Sequence, residues 1–398
     1  MTADRIIAGA LAGLALVGAC EPLPQSGGDP SRAAGPAPAV DTIASGLEVP
    51  WAIAFAPDGR IFVSERVGRI RVIEQGTLRE EPWATIPVAA RGEAGLMGIA
   101  LAPDFATSRA LYAVVTVEQN GNLVNRVLRM SDENGKAGPA TVILDGIPGA
   151  VFHAGDAIAF GPDGMLYVAT GDAREPRNAQ DTTSLAGKVL RMRPDGTVPP
   201  DNPMPGSLIY ARGVRNTQGI AWEPATGQAF GTDHGPSGFP NERFRQGRDE
   251  LNAIPRGGNL GWPSVAGRSD NRRFTPPLVD WSDPGIAPAG LAVYGGPHAP
   301  WSNSVFVAAL KGEQLRRVTL AQDSTAAPGW RAEADEPLLE KQFGRLRAVA
   351  MGPDGMVYFT TSNRDGRGAP RPGDDHLLRL RPATTSRGSE STRPPGSQ

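Results

Sequence analysis

Ala159-Phe160-Gly161-Pro162-Asp163-Gly164-Met165-Leu166-Tyr167-Val168 decides the fold, because the chain repeats it. The pattern stands again at Ala54-Phe55-Ala56-Pro57-Asp58-Gly59-Arg60-Ile61-Phe62-Val63 and at Ala350-Met351-Gly352-Pro353-Asp354-Gly355-Met356-Val357-Tyr358-Phe359. Looser copies run from Ile99-Ala100-Leu101 into Leu111-Tyr112-Ala113, from Ile220-Ala221-Trp222 into Ala229-Phe230-Gly231, and from Leu291-Ala292-Val293 into Ser304-Val305-Phe306. Each copy spells strand, tight turn, strand. Pro presets φ for the turn, Asp bonds nearby backbone amides, and Gly takes the positive φ. The flanking runs are β-branched and aromatic. One such hairpin cannot bury its own faces, whereas hairpins stacked radially can. Six copies at spacings of roughly 45 to 75 residues predict an all-β chain. The expected architecture is a six-bladed β-propeller with four-stranded antiparallel blades and long inter-blade loops.

The ends read differently. Arg5 precedes an apolar run from Ile6 to Val17, too short to span a bilayer as an ordinary helix but right for the core of a secretion signal. Gly18-Ala19-Cys20 follows, like a bacterial lipobox in which Cys20 receives lipid. Cys20 is the only cysteine, so no intramolecular disulfide is available. The expected organisation is a lipoprotein signal peptide over 1–20, a Pro/Gly/Ala-rich tether over 21–40, the catalytic propeller over 41–382 and a disordered tail over 383–398. The protein would then sit on the periplasmic side of a bacterial membrane, touching it only through the lipid anchor. A net charge of -2 gives no overall attraction to nucleic acid, so any basic site must be local.

Propellers take ligands at the mouth of the central channel, which makes the polar residues flanking the hairpins the candidates. His153 leads into the third hairpin, whose second strand ends at Gly171-Asp172. A His before one strand and an Asp after the next can face each other as a base and its orienting carboxylate, though a lone His is more often structural. Arg215-Asn216 enters the fourth hairpin, which exits into His234-Gly235-Pro236. Adjacent carbonyls of a Gly-Pro pair suit a hard cation such as calcium; an ordinary loop is the alternative. Lys311, Arg345 and Arg347 recur just outside later blades and, with Arg215, could converge on a small polyanion.

Taken in order, His153, Gly171-Asp172, Arg215-Asn216, His234-Gly235-Pro236, Asp249-Glu250-Leu251-Asn252, Asn259-Leu260-Gly261-Trp262-Pro263, Lys311-Gly312 and Gly344-Arg345-Leu346-Arg347 carry a resemblance. The chain resembles the soluble aldose sugar dehydrogenases that depend on pyrroloquinoline quinone (PQQ), a family including soluble quinoprotein glucose dehydrogenase and sorbosone-dehydrogenase-like proteins. The resemblance covers nearly all of 41–382. It implies oxidation of an aldose at the anomeric carbon to the lactone, with hydride passing to PQQ and electrons to an external acceptor. In that family's terms His153 takes the hydroxyl proton, Asp172 orients it, and Arg215 stabilises charge on the quinone oxygens. Asn216, Lys311, Arg345 and Arg347 would hold the cofactor. The Gly235 and Pro236 carbonyls would bind Ca2+, and Glu250 with the Leu260 carbonyl resembles a second, structural calcium site.

Three departures stand out. The family usually has Gln where this chain has Glu93, in Gly92-Glu93-Ala94-Gly95-Leu96, so an acid occupies a cofactor-side position. Gly155-Asp156 replaces the usual Gly-Gly, and Ser237 to Gly247 is a longer connection than usual. The competing functions are a calcium-dependent propeller lactonase, which needs several carboxylates on one ion, and a lipid-tethered binding propeller without catalysis, which Glu93 favours.

Overall fold

The turns fold as their residues dictate. The N–H groups of Gly59, Gly164 and Gly355 donate to the carbonyls of Ala56, Gly161 and Gly352, each at 3.0 Å. Asp58, Asp163 and Asp354 each accept the N–H two residues on. The strands so joined share one register: Ala54 stands opposite Phe62, Ala159 opposite Tyr167, and Ala350 opposite Tyr358. The looser copies keep it, with Ala100 opposite Tyr112, Ala221 opposite Phe230 and Ala292 opposite Phe306. A small residue near the crowded axis against a ring one strand out is therefore the shared unit of all six hairpins.

The structure, a computed structural model, describes residues 38–382 except Pro284 and Ala326. Its sheets form the six blades of a propeller. Pro50–Phe55, Leu96–Leu101, Gly155–Phe160, Thr217–Trp222, Pro288–Val293 and Leu346–Met351 are the inner strands, each touching its two neighbours around the ring. Antiparallel strands follow outward; blade 3 continues through Leu166–Thr170, Lys188–Met192 and Ile209–Arg212. In blade 1 the outermost position is split between Thr77–Leu78 and Ala84–Thr85. Among the described residues, helix is confined to Phe105–Ser108 and two single 3-10 turns.

The core lies between blades, one apolar slice per interface. Between blades 1 and 2, Phe62, Ile70 and Val72 meet Leu111 and Ala113, and Phe62 is edge-on to Trp83 at 5.5 Å and to Phe105 at 6.0 Å. Such pairs add about 0.5–1.5 kcal/mol beyond the area they bury.

Blade 6 runs Leu346–Met351, Val357–Thr361, Leu377–Arg381, and then Ala39–Ala44 from the other end of the sequence. That strand begins inside the stretch expected to be tether. Val40 pairs with Leu380, and the Asp41 carboxylate accepts from Arg379 and Arg381, each at 2.9 Å. The expected leader with Cys20, nearly all of the tether and the tail over 383–398 lie outside the described residues.

Every inner strand has a register shift near its start, between Pro50 and Ala52, Leu96 and Ile99, Gly155 and Ile158, Thr217 and Gly219, Pro288 and Leu291, and Leu346 and Val349. Bulges re-aim side chains and break the ladder. All six fall at the end away from the Pro-Asp-Gly turns, and that end carries the candidate residues.

Candidate active site

His153 lies in the crossover entering Gly155–Phe160, and Asp172 just beyond Leu166–Thr170. Two glycines allow the segments to meet: a Cβ on Gly171 would fall 1.8 Å from the His153 carbonyl oxygen, and one on Gly155 would fall 2.1 Å from the Gly171 nitrogen. His153 takes φ +60°, unusual for a non-glycine residue, and its N–H donates to Glu93 Oε2 at 2.9 Å. Its Nδ1 is 2.8 Å from Asp172 Oδ1. Asp172 also accepts the Trp262 indole N–H at 2.8 Å and the Arg174 N–H at 2.8 Å, and is fully buried. With a carboxylate accepting at Nδ1, the proton belongs there and Nε2 is left as the basic nitrogen.

His153 opens onto a cavity of about 200 Å³ that Glu93, Arg215, Asn216, Gly235, Pro236, Lys311 and Arg345 also line. Three other candidates sit elsewhere. Arg347 does not line that cavity: its guanidinium lies 3.7 Å from the centre of the Trp51 ring, donates to Gln218 Oε1 at 3.2 Å and stands 3.5 Å from Asp365 Oδ2. Glu250 and Leu260 line a separate cavity of about 10 Å³, together with Asp233 and Trp262.

The cations are held by acids that the sequence did not single out. Arg215 Nε donates to Glu242 Oε1 at 2.8 Å, its Nη1 to the His234 carbonyl at 3.2 Å and its Nη2 to Ser237 Oγ at 2.8 Å. Arg345 Nε donates to Asp365 Oδ2 at 2.8 Å. Arg367, over the Phe152 ring at 4.8 Å, adds a cation to the wall. For Trp262 the sequence carries one signal of its role, since a buried indole N–H needs an acceptor. For Glu242, Asp365 and Arg367 it carries none, because they come from long loops with no periodicity.

Glu93 is woven into the wall. Its Oε2 accepts from both the His153 N–H and Asn216 Nδ2, the latter at 3.1 Å, while Asn216 Oδ1 accepts the Gly155 N–H at 3.0 Å. Burial alone would raise its carboxyl; the surrounding basic side chains, Arg347 among them, and the His153 N–H outweigh that and hold it below the ordinary value. Glu93 is thus a buried anion at neutral pH. Glu93→Gln keeps the acceptor and removes the charge, so the affinity for an anionic ligand should rise about 10-fold, or about 1.4 kcal/mol. Fluorescence titration of an anionic quinone measures this, and an unchanged affinity would place the charge outside the ligand's field.

The donor set suits an anionic organic group with a hard cation. A Cβ on Gly235 would lie 2.1 Å from the Gly247 carbonyl oxygen, so only glycine lets those two strands of loop cross. Gly235 N–H donates to Asp249 Oδ1 at 2.8 Å, and the Pro236 carbonyl accepts one N–H, from Gly247 at 3.0 Å, keeping a second lone pair. Beside them His234 Nε2 is buried without a protein partner, and burial pushes that imidazole down to about 4, leaving it neutral. Among the described residues no three His, Cys, Asp or Glu side chains converge. A cation at Gly235-Pro236 would therefore draw on backbone carbonyls and on the ligand's own oxygens.

Comparison with known proteins yields a consistent set. The family model described as Glucose / Sorbosone dehydrogenase matches residues 47–379. A solved putative oxidoreductase (glucose dehydrogenase) from Thermus thermophilus is 45% identical with TM-score 0.79, over 86% of this chain and 99% of that one. The PQQ-bound aldose sugar dehydrogenase of Streptomyces coelicolor is 38% identical with TM-score 0.75, over 87% and 99%. Among curated relatives, an aldose sugar dehydrogenase of Escherichia coli K12 is 29% identical over 353 residues, 82% of this chain and 91% of that protein.

Proposed function

The chain belongs to the glucose/sorbosone dehydrogenase family, and from that premise we propose that this PQQ-dependent sugar dehydrogenase oxidises aldoses at the anomeric carbon to lactones, using calcium. The observation that carries the reading is the His153–Asp172 pair opening onto a cavity walled by cations.

When bound, the quinone would take the anomeric hydride, with calcium polarising the carbonyl that receives it. The protein's residues do the rest. His153 Nε2 accepts the anomeric hydroxyl proton, so the charge left on the sugar oxygen never builds up. Asp172 stabilises the imidazolium, and Trp262 and the Arg174 N–H keep that carboxylate in place. Arg215, Lys311, Arg345 and Arg367 face the carboxylates of the cofactor, and Glu242 and Asp365 fix the guanidiniums of Arg215 and Arg345 before it arrives. The carbonyls of Gly235 and Pro236 are the calcium ligands in this reading. Glu250 and the Leu260 carbonyl hold a second ion.

Reconstitution tests the whole reading. Metal-free protein mixed with PQQ and calcium should reduce a dye with aldoses and release lactone, and a chelator present during loading should prevent both. Absence of dye reduction across an aldose panel would overturn the reading. Lactone hydrolysis without PQQ would transfer the function to the hydrolase class.

A further inference from the structure

The long connection from Ser237 to Gly247 has a built base and an aromatic tip. Glu242 is the base: its buried carboxylate accepts the Ser237 N–H at 2.8 Å, the Phe239 N–H at 3.0 Å and Arg215 Nε–H at 2.8 Å. The loop is thereby fastened to a residue of the cavity wall. Phe239 is the tip. Its ring lines the cavity, with its centre 5.7 Å from that of the His153 imidazole and its plane inclined by 50°. The Arg174 guanidinium lies 4.3 Å from the centre of the phenyl ring, and Asn241 Nδ2 donates to the Arg174 carbonyl at 2.7 Å. The same loop therefore supplies the ring and holds the arginine that steadies it.

We propose that Phe239 is a specificity-determining residue, the platform on which the C–H face of an aldopyranose rests while its anomeric hydroxyl reaches His153. This rests on the aldose-oxidising reading above. A hydroxyl within about 2.6–3.2 Å of Nε2 brings its own sugar ring beside the phenyl ring. A pyranose with equatorial hydroxyls presents axial C–H groups on its faces, an apolar surface that a flat ring covers without stranding a polar group. The cationic wall serves a polyanion and offers such a face nothing. Phe239 and Phe152 are the apolar side chains of the wall next to the base. The preferred substrates are therefore pyranoses with an unbroken C–H face; an axial hydroxyl on that face weakens binding.

The experiment compares holoenzymes on glucose. Phe239→Ala should raise KM about 10-fold, equivalent to about 1.4 kcal/mol, with kcat within about twofold and quinone affinity unchanged. Phe239→Tyr should restore KM, and Arg174→Ala should raise it by a smaller factor. In pre-reduced holoenzyme, saturation-transfer NMR should carry magnetisation from aromatic protons to the sugar's ring C–H protons, and Phe239→Ala should abolish it. A kcat loss at constant KM would mean that Phe239 only props the imidazole, and unchanged KM would mean that it does not touch the sugar; either result overturns the proposal. Wild-type holoenzyme that oxidises no aldose would overturn the functional reading, and this proposal with it.

Discussion

His153→Ala is expected to lower kcat by about 10²–10⁴-fold, the usual contribution of a positioned base, while quinone binding stays near wild type. Hydride loss from a hydroxyl-bearing carbon leaves a proton that needs an acceptor, and the base is 4% exposed, so bulk water has little access. The other histidine in the cavity, His234, is a poor substitute because burial drives it down to about 4. His376 contacts Ser45 Oγ, and His298 packs on Trp301, both remote from the cavity wall. Asp172→Asn should cost less than His153→Ala, since the imidazole remains and only its tautomer and orientation are loosened. Rapid-kinetic measurement of the reductive half-reaction at saturating PQQ and calcium checks both. Near-normal turnover in His153→Ala would assign the base to another residue.

In chelator, raising the pH from 5 to 8 is expected to lower the melting temperature by about 5–10 °C. Asp233 and Glu250 stand opposite each other on adjacent strands of blade 4, both buried. Burial pushes Asp233 up to about 7, and burial plus the neighbouring Asp233 pushes Glu250 up to about 8. Raised folded values mean that the native state holds more protons than the unfolded chain across that window. Stability must then fall as pH rises through it. Glu250 alone, moved from 4.5 to about 8, corresponds to roughly 5 kcal/mol at most at about 1.4 kcal/mol per unit, and the paired acids do not add. A cation in the small cavity beside them would remove the penalty, so calcium at pH 8 should recover most of the loss. Scanning calorimetry at the two pH values, with chelator and with calcium, decides it. A flat profile in chelator would contradict the buried pair, and no recovery with calcium would remove the second metal site.

The propeller is legible in the sequence because its signal is local. A Pro-Asp-Gly turn needs only its own residues, and the Ala54–Phe62 register recurs wherever the turn does. His153 and Asp172 are legible for the same reason, lying at the two ends of one hairpin. What holds them is not. Trp262 reaches Asp172 across 90 residues, and Glu93 reaches His153 across 60. Those contacts depend on how aperiodic loops fold over the channel, which no spacing encodes. Arg345 and Arg347, two residues apart, meet the same Asp365 carboxylate at 2.8 Å and 3.5 Å, but the stacking of Arg347 on Trp51 is a contact that their spacing does not announce. Glu93 joins the expected cavity, but as a brace for the base's backbone as well as a charge beside the ligand.

The strand Ala39–Ala44 fixes where the protein is attached to anything upstream of it. Ala39 pairs with Arg381, and Arg379 reaches both Asp41 and Asp354 of a Pro-Asp-Gly turn. The described chain thus begins and ends on the turn face, opposite the bulged end where the cavity opens. Residue 38 therefore stands on the face away from the cavity. A pull applied there would act along the ladder between Ala39–Ala44 and Leu377–Arg381, loading its hydrogen bonds together in shear rather than one after another.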